Sequence, residues 1–95
     1  MVKTLSSAQI RAARALLRWS AEDLARASLL SVATIRRAEL SEKETSMTAA
    51  NDLAVRRALE AAGVQFIDED GGGPGVRLRT AMRMRTARQH GKRKE

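Results

Sequence analysis

The chain has 95 residues, no cysteine, one histidine and only one Trp and one Phe as aromatics, and it carries a formal net charge of +7. That length fits one small domain plus a tail, with a core marginal enough that dimerisation would help. The composition excludes a disulfide framework and a thiolate metal site, fits a reducing cytoplasm, leaves no apolar run long enough for a transmembrane helix or signal-peptide core, and points to a polyanionic partner.

Met1 to Leu5 reads as frayed or extended. Ser6 or Ser7 then caps a first helix, with Ser6 and Gln9 spaced as a capping box. Ile10, Ala13 and Leu17 form its inward stripe, with Leu16 beside them and Arg11 and Arg18 turned away. Trp19 closes the helix as a packing residue. Ser20 caps a second helix over about Ala21 to Ser28, Asp23 completing its capping box and Leu24 and Ala25 facing inward. Ser28-Leu29-Leu30 leaves room for a tight turn. Ser31 caps a third helix over about Val32 to Leu40, with Ile35 and Ala38 inward. Two helices joined by three or four residues predict a helix-turn-helix, whose second helix is shaped to enter a DNA major groove.

Ser41 to Met47 is polar and non-periodic, a surface loop. Thr48 or Ser46 caps a fourth helix through Ala62, amphipathic at Leu53, Arg56/Arg57 and Leu59, and Gly63 stops it. The period then changes to two over Val64–Asp68 and Val76–Arg79, on either side of a glycine-rich loop: a hairpin. Val64, Phe66, Val76 and Leu78 share one face, Arg77 and Arg79 the other. A lone hairpin is marginal in water, so it packs on the helices or pairs with its copy, and those four apolar residues are the expected dimer contact. The GGGPG run lacks the Lys-Ser/Thr ending of a phosphate-binding loop. Residues 80–95 hold six Lys/Arg against one acidic residue, whereas residues 1–62 hold ten against seven. The organisation expected is therefore a DNA-binding unit over 1–62, a hairpin over 63–79 and a basic flexible tail over 80–95.

At Ser20 to Glu39 the sequence resembles the Cro/C1-type helix-turn-helix (XRE) family of regulators. The residues that carry the likeness are Glu22-Asp23-Leu24-Ala25, Ser31, and Ala33-Thr34-Ile35 with Glu39. Arg11 to Ser20 is similar to the first helix of many short bacterial members, and ALEAAGVQF from Ala58, with Val76 to Arg79, to their C-terminal part. The resemblance spans roughly residues 6–79. It implies a mainly α, lambda-repressor-like bundle of about four helices followed by a short β-hairpin. It also implies a close helix crossing at Ala25, a shared core of Leu24, Leu30 and Ile35, and an Arg14–Glu39 salt bridge tying the first helix to the third. Three positions depart from the pattern: Ala21 replaces a phosphate-binding glutamine, Leu29 a turn glycine, and Ser41 the glycine after the third helix. A left-handed leucine costs on the order of 1 kcal/mol.

With the third helix in a major groove, Ser31, Val32, Ala33, Arg36 and Arg37 face the DNA. Alignment with the family assigns base contacts to Val32, Ala33 and Arg37. Arg37 suits bidentate pairing with guanine, and Val32 and Ala33 offer apolar contact to a thymine methyl. The plainer alternative is that Arg36 and Arg37 only solvate an exposed helix. Phosphate contacts fall to the helix N-termini at Ser20 and Ser31, to Arg36, and to Lys43 in the following loop. Nothing suggests catalysis or a cofactor. His90 lies in the tail, Asp68-Glu69-Asp70 reads as a solvated turn, and no metal-ligand spacing or nucleophile–base pair occurs.

The function expected is a cytoplasmic transcriptional regulator, not an enzyme, that binds double-stranded DNA sequence-specifically as a homodimer on a palindromic operator. Two alternatives stay open. A degenerate helix-turn-helix serving as an antitoxin or anti-activator would bind a protein partner, and residues 80–95 alone would bind nucleic acid without specificity. None of these readings involves a membrane.

Overall fold

A computed structural model describes residues 4–40, 47–68 and 71–79. Four helices, α1 (Ser7–Leu17), α2 (Ala21–Ser28), α3 (Val32–Leu40) and α4 (Ala49–Ala61), precede a hairpin of β1 (Val64–Ile67) and β2 (Gly75–Leu78). The protein is thus mainly helical with a short two-stranded antiparallel sheet. Among the described residues no helix is long and apolar enough to cross a membrane.

Local chemistry explains where the helices start. Ser6 accepts the Gln9 N–H and receives the Gln9 side chain on its own N–H, a complete capping box, and Ser20 and Asp23 repeat it for α2. The Thr48 hydroxyl accepts the Asn51 N–H and opens α4. The ends of α1 and α2 follow a shared rule. Arg18 and Leu29 both adopt left-handed backbone, at φ 59° and 63°. In each case two N–H groups fold back onto orphan carbonyls, Arg18 to Ala15 and Trp19 to Arg14, then Leu29 to Arg26 and Leu30 to Ala25. After α4 the reversal into β1 passes through Gly63 at φ 110°, a conformation strained for any side chain.

The hairpin pairs Val64 with Leu78 and Phe66 with Val76. Its strands run one residue off the expected limits, because Gly75 joins the ladder opposite Ile67 while Asp68 and Arg79 lie beyond it. The apolar face of the hairpin lies on the chain's own helices. Val64 is fully buried, and Phe66, Val76 and Leu78 pack half-buried against the same core. That uses within the chain the face expected to meet a second copy, since two four-residue strands need a helical layer to hide their apolar side.

Two expectations are corrected inside the core. Leu5 is not frayed: its side chain is fully buried and its N–H donates to Asp52 Oδ1 at 3.1 Å. The inward stripe of α4 is Asp52, Val55 and Leu59, and Leu53 is 41 % exposed. The helix is rotated because Asp52 turns inward to satisfy that backbone N–H, which would otherwise be buried without a partner. The buried centre otherwise joins Ile10 and Ala13 of α1, Leu24 and Ala25 of α2 and Ile35 and Ala38 of α3.

Candidate nucleic-acid interface

The outward face of α3 is positioned by both α1 and α2. Three side chains of α1 reach the C-terminal end of α3, where a helix leaves carbonyls without intrahelical partners. The Ser7 hydroxyl, fully buried, donates to the Ala38 carbonyl. Arg11 Nη1 donates to the Glu39 carbonyl at 2.5 Å. Arg14 grips the Glu39 carboxylate through Nε to Oε2 at 2.7 Å and Nη2 to Oε1 at 2.8 Å. Its third nitrogen donates to the Trp19 carbonyl at 2.8 Å. This bidentate arrangement raises the Arg14 pKa, the hydrogen bonds to Glu39 outweighing the opposing effect of burial. The structure therefore brings Arg14 and Glu39 together, and adds Ser7 and Arg11, which the sequence reading had as an alternative cap and a solvent-facing residue.

At its other end α3 is held by the short link from α2. Leu29 stands 90 % exposed at the left-handed corner, and Leu30 folds back against the core. The Ser31 hydroxyl accepts the Thr34 N–H at 3.1 Å and donates to Thr34 Oγ1 at 2.9 Å. With Ile35, Ala38 and Glu39 buried, the helix presents Ala33, Arg36, Arg37 and Leu40 to solvent. Val32 differs from expectation: it is half-buried against the core, so only part of its side chain is on this face.

The cations of the face are unequal. Arg36 Nη2 lies 2.6 Å from Glu22 Oε2 on α2, an ion pair across the two helices. Arg26 Nη2 lies 2.5 Å from Asp23 Oδ1. Among the described residues no ion pair involves Arg37. Ser20 is not an open anion receptor, because its hydroxyl accepts the Asp23 N–H and its own N–H donates to Asp23 Oδ2 at 2.9 Å. The bond from Ser20 holds the Asp23 carboxyl below its ordinary value of 3.8, and that of Glu22 lies below 4.5 through its own backbone N–H and the nearby Arg36. Two carboxylates thus occupy the N-terminal turn of α2, where the helix dipole favours negative charge. The Ser20–Asp23 capping box follows from sequence spacing, whereas the Glu22–Arg36 pair does not, since fourteen residues separate its partners.

Lys43, Ser41, Ser46, Glu69, Asp70 and the basic segment 80–95 lie outside the described residues. Among the described residues no group of three His, Cys, Asp or Glu side chains gathers as a metal site requires. On the hairpin, Gln9 Nε2 donates to the carbonyls of Gly75 at 3.1 Å and Ile67 at 3.4 Å, fastening the sheet to the start of α1. The Arg56 guanidinium sits 5.1 Å from the centre of the Phe66 ring, joining α4 to β1. No protein-family model matches the chain, and a search of curated proteins finds no match.

Proposed function

We propose that the chain is a duplex-DNA-binding transcriptional regulator of the helix-turn-helix kind, similar to the Cro/C1-type family, acting in the cytoplasm as a homodimer and without catalytic activity. The observation that carries this reading is the α2–α3 pair: two short helices linked by Leu29–Ser31, with the second presenting Ala33, Arg36 and Arg37 outward while α1 clamps its far end. A rigidly held helix with an exposed arginine is what reading base edges in a major groove requires. In this reading Arg37 recognises a guanine, Ala33 and the exposed part of Val32 meet a thymine methyl, and Ser31, Arg36 and Lys43 approach phosphates. The second copy docks through hairpin edges rather than through Val64, Phe66, Val76 and Leu78, whose shared face is turned inward.

In vitro selection of bound duplexes tests the proposal, followed by titration of Arg37→Ala at constant salt. The expected result is a palindromic site and a loss of discrimination at one base pair per half-site worth roughly 1–3 kcal/mol. If the dimer neutralises 6–10 phosphates, affinity falls about 10³–10⁵-fold between 50 and 200 mM salt. Unchanged sequence preference in the variant removes Arg37 from base readout.

A second reading, an antitoxin or anti-activator module that binds a protein, draws on two features. Arg26 and Arg36 are neutralised by Asp23 and Glu22, and Leu29 and Leu40 are 90 % and 80 % exposed. Co-purification of a stoichiometric protein partner, with no protected DNA site, would favour it.

A further inference from the structure

We infer that Glu22 is an intramolecular competitor for Arg36, a residue that lowers non-specific DNA binding by occupying the guanidinium that would otherwise take a phosphate. The inference rests on the duplex-DNA reading of α3 and concerns how selective that face is.

The geometry is specific. Arg36 stands on the exposed side of α3, one residue before Arg37, and its Nη2 lies 2.6 Å from Glu22 Oε2 at the first turn of α2. A guanidinium so engaged offers fewer donors to a phosphate. Both side chains are more than half exposed, at 59 % and 52 %, so the pair is weak enough for a well-placed phosphate to displace. Asp23 and Arg26 form a second pair on the same helix, so these four charges sum to zero and Arg37 carries the face's uncompensated charge. For a protein with a net charge of +7 this matters, because a cationic surface attracts phosphates whatever their sequence. With Arg36 engaged, binding depends more on the base contacts of Arg37.

The test is a double-mutant cycle of Glu22→Gln and Arg36→Ala in the full chain, using fluorescence anisotropy on the selected duplex and on a random duplex at several salt concentrations. Glutamine keeps the size of the side chain and removes its charge. Both sites are exposed, and circular dichroism checks that the variants fold. Glu22→Gln is expected to tighten binding to the random duplex about 2–5-fold at fixed salt. It should also steepen the slope of log affinity against log salt by about 0.9 per protomer, one more phosphate contact. In the Arg36→Ala background the same substitution should change neither quantity. An equal gain in both backgrounds overturns the inference, because it would mean general repulsion rather than capture of Arg36. No gain, with the wild type still binding its selected duplex, also overturns it and leaves the DNA reading standing. A wild type that binds no duplex removes both.

Discussion

Replacing Arg14 by methionine removes the bidentate partner of a carboxylate that is only 9 % exposed. The pair joins α1 to α3 across 25 residues of sequence, so its loss acts on the orientation of α3 as well as on stability. Breaking a fully buried pair from one side costs about 3–5 kcal/mol, because the remaining charge is left uncompensated. Arg14 itself is 23 % exposed, which lets water reach its side of the site, and about 3 kcal/mol is the expected loss. Glu39→Met should cost less, roughly 1–2 kcal/mol, since the stranded guanidinium keeps the Trp19 carbonyl and can extend toward solvent. The double variant, with neither charge, should lose much less than the sum, giving a coupling of about 2 kcal/mol. A domain of this size is stable by only roughly 4–10 kcal/mol, so Arg14→Met approaches the unfolding threshold. Urea unfolding at neutral pH, followed by Trp19 fluorescence and circular dichroism, measures all three. With a slope near 1 kcal/mol per molar, the Arg14→Met midpoint should fall by about 3 M. Effects that add to within about 0.5 kcal/mol would refute a coupled pair.

Two further outcomes follow from local chemistry. Leu29→Gly should raise the melting temperature by about 2–6 °C, because glycine relieves a left-handed side chain and no burial is lost at a position 90 % exposed. A lower melting temperature would show that the leucine makes a stabilising contact. Acid should weaken the fold through Glu22 and Asp23. Both have folded-state pKa values below their ordinary 4.5 and 3.8, so the stability they contribute is complete above those values and is lost as pH falls through the lowered ones. Urea midpoints measured between pH 6 and pH 2 should therefore decline, and Asp23→Asn should flatten the decline. A variant with the same acid slope as wild type would exclude the capping carboxylate as a source.

Helix limits were legible wherever a short-range signal existed. Ser20 with Asp23 marks the start of α2, Ser31 precedes α3, Thr48 opens α4, and Gly63 follows its end, because caps act over three or four residues that are contiguous in the chain. The hairpin was legible from alternation, whereas the left-handed corner at Leu29 was implied only by the family's usual turn glycine, with a reshaped turn left open. Arg14 with Glu39 was legible only through family resemblance, since no local pattern links residues so far apart. The phase of α4 was misread because leucine at position 53 outweighs aspartate at 52 on any hydropathy argument. Asp52 wins that place only because Leu5 brings it a buried backbone donor from the other end of the chain.

The sequence by itself determined four helices, cap candidates for each, a tight turn between α2 and α3, and a two-stranded hairpin, all consequences of backbone preferences and side-chain periodicity within a few residues. The left-handed backbone of that turn came only through the family resemblance and is seen at Leu29 in the structure. Only the tertiary structure decided which charges meet. Ser7, Arg11 and Arg14 converge on the end of α3 because α1 packs across it, and Glu22 reaches Arg36 because the turn at Leu29 folds α3 back toward the start of α2. These contacts join positions separated by 14 to 31 residues, so they depend on helix packing that no local propensity encodes. Packing thereby leaves Arg37 as the cation on the exposed face of α3 without an ion pair among the described residues.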